Sequence, residues 1–77
     1  MNVKPGDRIT FRDEYRNYEG IAYGYEYYKG IVKSTLNDHI ISVIFTEMSF
    51  NGKDYHNIGR VYTTTDTKDI ISIDGGL

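Results

Sequence analysis

Three short turn signals divide this chain into brief stretches of strand-forming residues. Pro5-Gly6 precedes the first stretch, Asn37-Asp38 divides the middle of the chain, and Asn51-Gly52 separates two later stretches. Asn51-Gly52 is the strongest of these signals, because both residues tolerate the positive φ that tight hairpin turns require. Ten Ile, eight Tyr and seven Thr against one Ala and two Leu also favour strands over helices. The sequence therefore predicts an all-β fold.

Alternation and turn positions predict five short strands. Ile9 and Phe11 alternate with polar residues, so the first strand buries one face. The predicted strands lie at about residues 8–12, 29–36, 39–46, 60–64 and 70–73. Asp66 is placed to cap a one-turn 3-10 helix over 67–69, just before the last strand. Tight turns are expected between the middle three strands.

The segment from Asp13 to Tyr28 shows no sustained period of 2 or 3.6 residues and contains six of the eight tyrosines. We predict that it forms a long irregular loop after the first strand. In the third strand, Ile40 and Ile44 alternate with a second apolar face. Either the long loop folds over Ile40 and Ile44, or these residues form an interface.

The length of 77 residues predicts one domain spanning 1–77, with Gly75 to Leu77 as a tail. The chain has no cysteine, which excludes a disulfide framework and thiolate metal ligands. No apolar run approaches the roughly 18 residues of a membrane span, and the first residues lack the apolar region of a signal peptide. We therefore expect a cytoplasmic protein that does not bind membranes, either a monomer or a homodimer.

Three short motifs resemble the KOW type of SH3-like barrel. They are Gly6-Asp7-Arg8-Ile9-Thr10-Phe11, Gly30-Ile31-Val32 and Ile41-Ser42-Val43. In that family a Gly-Asp turn opens the first strand and a glycine precedes the Val of the second. Thr46-Glu47-Met48 and Ile70-Ile71 are similar to a small bacterial group of KOW-like domains. The resemblance implies a five-stranded SH3-like barrel, from which the long first loop departs.

Gly30 lies inside a predicted strand, where glycine is unfavourable unless the strand bends or another backbone approaches closely. We therefore predict a structural role for it. The abundance of Ile, Tyr, Asn, Lys and Asp also resembles proteins of AT-rich bacterial genomes and their phages.

Tyrosines interleaved with charged residues make the long loop a candidate contact surface, because tyrosine supplies rigid area and a hydroxyl group. The predicted partner-binding residues are Tyr15, Arg16, Tyr18, Tyr23, Tyr25 and Glu26. In SH3 domains this loop lines the ligand groove, so the resemblance implies that a partner binds here. The alternative is that the loop packs onto its own barrel. We predict a small non-enzymatic module that binds another protein, as an adaptor or an inhibitor.

Binding of nucleic acid is the second hypothesis, since KOW-like barrels commonly act on RNA or in transcription and translation. Its predicted residues are Arg8, Arg12, Lys29 and Lys33, which could hold a single strand beside aromatic rings. The net charge of −2 and the acidic residues in the same region disfavour this hypothesis.

Catalysis has the weakest support. His39 and His56 are the only histidines, and their spacing does not match a metal-binding motif. The sequence contains neither a Gly-x-Ser-x-Gly motif nor a phosphate-binding glycine loop. We predict no catalytic residues, no metal and no cofactor.

Overall fold

A computed structural model describes residues 3–74 and contains five antiparallel strands in a single sheet. The strands are β1 (Arg8–Arg16), β2 (Ala22–Thr35), β3 (Ile40–Ser49), β4 (His56–Asp66) and β5 (Ile70–Asp74). A 3-10 helix over Thr67–Asp69 connects β4 to β5, and the Asp66 side chain caps it by accepting a hydrogen bond from the Lys68 amide. The all-β class, the five strands and this one-turn helix are thus confirmed. The predicted tail, Gly75 to Leu77, lies outside the described residues.

The sheet is open. Its strand order is β4-β3-β2-β1-β5, so β4 and β5 lie at opposite edges. The 3-10 helix carries the chain from one edge to the other, and β4 and β5 do not pair with each other to close the sheet. The predicted barrel is therefore not confirmed.

The prediction of a long irregular loop from Asp13 to Tyr28 was wrong. Residues 13–16 continue β1 and residues 22–28 begin β2. The two strands pair from Arg8 opposite Ile31 to Arg16 opposite Ala22, with a register shift between Tyr15 and Arg16. This ribbon has no apolar and polar alternation, because its outer half is exposed or half-buried on both faces. A period-2 pattern appears only where one face is buried, so the sequence carried no such signal here.

The core lies on one face of the sheet. Its buried residues are Ile9, Phe11, Val32, Ile41, Val43, Phe45 and Ile70. The predicted buried faces of the first and third strands are confirmed. On the opposite face, Ile44 is half-buried between Ile31 of β2 and Tyr62 of β4, which lie opposite it in register. These neighbouring strands flank Ile44, whereas the segment expected to cover it extends the sheet instead.

Among the described glycines, Gly30 leaves the least room for a Cβ atom, because the backbone of β3 lies directly against it. A Cβ atom at Gly30 would collide with the carbonyl oxygen of Ile44 and would lie 2.9 Å from both its carbonyl carbon and the Cα atom of Phe45. A β-bulge in the β2–β3 pairing falls at the same place, between Lys29 and Gly30. The predicted structural role of Gly30 is confirmed.

Candidate functional site

The tip of the β1–β2 hairpin is a turn over residues 17–21 that is held by one side chain. The Asn17 Oδ1 atom accepts hydrogen bonds from the amides of Glu19 at 2.9 Å and Ile21 at 3.0 Å. The Asn17 amide donates to the Ile21 carbonyl at 3.1 Å, and Gly20 has φ +80°, which favours glycine. The turn therefore has a defined conformation, which sets the direction of its side chains.

Three large side chains project from this tip into solvent. Tyr18 is fully exposed, and Ile21 and Tyr23 are 57% and 70% exposed. The Tyr23 ring stacks on the Tyr15 ring, with centroids 5.8 Å apart. We call Tyr15, Tyr18, Ile21 and Tyr23 the tip cluster. Exposed aromatic and aliphatic groups on a fixed turn are typical of a contact surface.

Arg16 is positioned beside the tip cluster by two contacts. Its guanidinium donates to the Gly20 carbonyl at 2.6 Å and to the Glu14 carboxylate at 2.5 Å. Both side chains are partly accessible to solvent, so this ion pair contributes little to stability. Its effect is to hold the guanidinium near Tyr18 and Tyr23, with which Arg16 lines a shallow hollow.

The other two predicted contact residues lie apart from the tip cluster. The Tyr25 ring lies under the guanidinium of Arg12, with the Arg12 Cζ atom 4.5 Å from the ring centroid. Glu26 alternates with Tyr25, so it lies on the opposite face, where it accepts a hydrogen bond from the Tyr28 hydroxyl. The structure thus brings together Tyr15, Arg16, Tyr18 and Tyr23 but not all six predicted residues.

The Tyr28 hydroxyl gives a pH-dependent test of this arrangement. Burial, followed by the hydrogen bond to Glu26, raises the pKa of Tyr28 from 10.0 to about 12. The folded state therefore holds this proton more tightly than the unfolded chain, so the stabilisation is complete below pH 10 and is lost as the pH rises toward 12.

We expect the ultraviolet absorbance of the wild-type protein to show a phenolate step near pH 12, and the Tyr28→Phe variant to lack it. The unfolding free energy of the variant should also fall less between pH 10 and about 12. A lost absorbance step centred near pH 10, and not near pH 12, would contradict the assignment.

The four residues predicted for nucleic acid lie on one face of the sheet. Arg8 and Arg12 are four residues apart in β1, so their side chains lie on the same face of the sheet. Ile31 of β2 pairs with Arg8 and shares that face. Lys29 and Lys33 lie two residues to either side of Ile31, so they are on the same face as well. We call Arg8, Arg12, Lys29 and Lys33 the basic face. Besides the pairing of Arg12 with Tyr25, the Lys29 Nζ atom lies 4.3 Å from the Tyr55 ring centroid and the Lys33 Nζ atom 5.3 Å from that of Tyr62.

Two of the acidic residues in this region, Asp13 and Glu26, are separated from the basic face. Asp13 pairs with Glu26, and both lie on the opposite face of the hairpin. Glu14 lies on the same face as Arg12, where it forms an ion pair with Arg16. Two further acids lie beside the basic face, Glu47 opposite Lys29 and Asp74 opposite Arg8. The acidic residues therefore disfavour nucleic-acid binding less in the folded protein than the sequence alone indicates.

Sequence reasoning missed the residues that complete both surfaces. Ile21 belongs to the tip cluster, and Tyr55 and Tyr62 supply rings to the basic face. No local signal connects Tyr55 or Tyr62 to the lysines of β2, because their contacts depend on pairing across β3.

Within residues 3–74, His, Asp and Glu side chains form no group of three that could hold a metal ion. The same part of the chain contains no helix with the length and apolar character that a bilayer-spanning helix needs. Comparisons with protein-family models, curated proteins and solved structures find no match to this chain.

Proposed function

We propose that this protein is a small non-enzymatic binding module that captures another protein through the tip cluster and Arg16. The observation that carries the proposal is the exposure of Tyr18, Ile21 and Tyr23 on a turn that hydrogen bonds hold in one conformation. Contact residues that are already ordered lose less conformational entropy on binding. Tyrosine is also among the residue types that contribute most to interface energies.

The position of the tip cluster favours contact with a partner over packing within the molecule. The hairpin residues pair with each other, and Tyr18 keeps its full surface accessible to solvent. A hairpin that served only to cover the sheet would bury these rings against it. The proposal includes a cytoplasmic location and a monomeric or homodimeric state, as expected from the sequence.

We also propose that the fold is a member of the SH3-like group, of KOW type. The last strand returns to pair with β1 after a one-turn helix, and the strand order β4-β3-β2-β1-β5 supports this assignment. The long β1–β2 hairpin then occupies the place of the loop that lines the ligand groove in SH3 domains.

Affinity capture of the tagged protein from a lysate of its source, with and without nuclease, tests the choice of partner class. We expect a stoichiometric protein that remains bound after nuclease treatment. Recovery of RNA or DNA, with the associated proteins lost on nuclease treatment, would contradict the proposal.

Nucleic acid remains a second candidate because three cations of one sheet face each lie over a tyrosine ring. Cations beside stacked rings are the groups that hold single strands. Under this alternative, each of the four residues of the basic face contacts one phosphate. The logarithm of the binding constant for a single-stranded oligonucleotide should then fall linearly with the logarithm of the salt concentration, with a slope of about −3. The variant Lys29→Gln with Lys33→Gln should make this slope shallower by about 0.7 for each lysine. An absence of binding at low salt would exclude this candidate.

A further inference from the structure

A cleft of about 380 Å³ lies where the open sheet leaves β4 facing the base of the β1–β2 hairpin. It is distinct from the tip cluster, none of whose residues line it. The floor is aromatic. Phe11 packs against Phe45 with ring centroids 4.2 Å apart and stacks on Tyr28 at 5.1 Å. Val61 of β4, 42% exposed, continues this apolar floor toward the sheet edge.

The rim of the cleft is acidic. Asp13 of β1, Asp66 at the end of β4 and Asp69 of the 3-10 helix all line it, and none of its described lining residues is basic. Asp13 also lies directly opposite Glu26, and like charges in that position destabilise a strand pair. A cationic group in the cleft would reduce this repulsion.

The cation that this rim favours is an organic one. The carboxylates of Asp13, Asp66 and Asp69 do not converge into a group that could ligate a metal ion. They surround an apolar floor instead, which matches a Lys or Arg side chain whose alkyl part packs on aromatic rings while its charged end contacts the carboxylates.

The wall opposite the hairpin is the free edge of β4. Thr63, Thr64 and Thr65 line the cleft consecutively, and β4 is the last strand of the sheet on that side. An edge strand offers backbone N–H and C=O groups to an added strand. An extended peptide that pairs with such an edge gains affinity from its main chain and specificity from alternate side chains.

We propose that the cleft binds an extended basic segment of the protein partner, which adds to the β4 edge and places a Lys or Arg side chain between Asp13 and Asp69. An apolar side chain of the same segment packs on the accessible surfaces of Val61 and Tyr28. This inference rests on the proposed function, since it names the chemistry of the partner that the hairpin captures.

The test uses a fluorescent peptide of alternating Lys and Val, and a matched peptide in which Glu replaces Lys. We expect the full-length protein to bind the Lys peptide and not the Glu peptide. The variant Asp13→Asn with Asp69→Asn should weaken binding at least tenfold. The control variant Asp38→Asn with Asp74→Asn changes the net charge equally outside the cleft and should bind like the wild type. Methylation of alternate peptide amides should abolish binding, because it removes the donors that pair with β4.

Equal binding of the two peptides, or an unchanged affinity of the Asp13→Asn, Asp69→Asn variant, would overturn the cleft proposal. The thermal midpoint of that variant should not fall, because the substitution at Asp13 removes its repulsion with Glu26. The variant Tyr18→Ala with Tyr23→Ala should still bind the Lys peptide, since neither tyrosine lines the cleft. If the Tyr18→Ala, Tyr23→Ala variant weakens capture of the intact partner and the Asp13→Asn, Asp69→Asn variant does not, the cleft proposal fails and the proposed function stands. If Tyr18→Ala with Tyr23→Ala leaves capture intact, the proposed function fails instead.

Discussion

Replacing Gly30 with alanine is expected to lower the free energy of unfolding by about 3 kcal/mol, at the upper end of the usual cost of overpacking. The added Cβ atom would collide with the backbone of Ile44, and the obstructing atoms cannot move away as a flexible side chain would. β3 is held between β2 and β4 and carries the fully buried Val43. For a domain of this size the thermal midpoint should fall by roughly 12 to 24 °C.

Gly24→Ala is the matched control for this substitution on the same strand. The Cβ atom would lie 3.5 Å from Cδ2 of Tyr15, an ordinary van der Waals distance, and Gly24 does not require a positive φ. We expect the midpoint of Gly24→Ala to stay within a few degrees of the wild type. Equal losses in the two variants, measured by thermal or urea unfolding, would contradict the close approach of β2 and β3 at Gly30.

Replacing both Tyr18 and Tyr23 with alanine is expected to weaken partner capture at least about 100-fold. Tyrosine hot spots cost about 2 kcal/mol or more each when truncated, although such losses do not add strictly. The thermal midpoint should change by little, because Tyr18 is fully exposed and Tyr23 loses only its stacking on Tyr15. The measurement is affinity capture with each variant, followed by quantification of the partner.

Tyr62→Ala is the matched control for the tip substitutions. Tyr62 is 59% exposed but lies on the basic face with Lys33, away from the hairpin tip. Its replacement should leave capture of the protein partner unchanged. A midpoint that collapses in the Tyr18→Ala, Tyr23→Ala variant would show that the hairpin is structural and would contradict its role as the contact surface.

The parts of the fold that could be predicted from sequence are those that local chemistry determines. The alternation of Ile9 and Phe11, and of Val43 and Phe45, indicates buried strand faces wherever one face meets a core. Asn37 was recognised as a turn residue, and its Oδ1 atom accepts the amides of His39 and Ile40 at 2.8 and 2.9 Å.

The hairpin could not be predicted in this way because both of its faces contact solvent. Its stability comes from cross-strand pairs, such as Arg12 with Tyr25, whose register is not visible in a single strand. Local sequence patterns also do not show that β4 and β5 form opposite edges of the sheet. The hydrogen bonds between strands, and not the order of strands along the chain, decide whether a sheet closes into a barrel.

The candidate site was predicted in part for the same reason. Tyr15, Arg16, Tyr18 and Tyr23 are close in sequence and come together at one turn. Tyr25 and Glu26 are equally close in sequence but point to opposite faces, because consecutive strand residues alternate. The acidic cleft joins β1 to the 3-10 helix, and sequence proximity gave no indication of it.

Amide hydrogen exchange of the protein, with and without its captured partner, is the most direct test of the hairpin as the contact surface. The proposed function predicts slower exchange in residues 17–23, including the Glu19 and Ile21 amides that bond to Asn17. Protection confined to residues 29–33, with the hairpin tip unchanged, would contradict it and would transfer the binding role to the basic face.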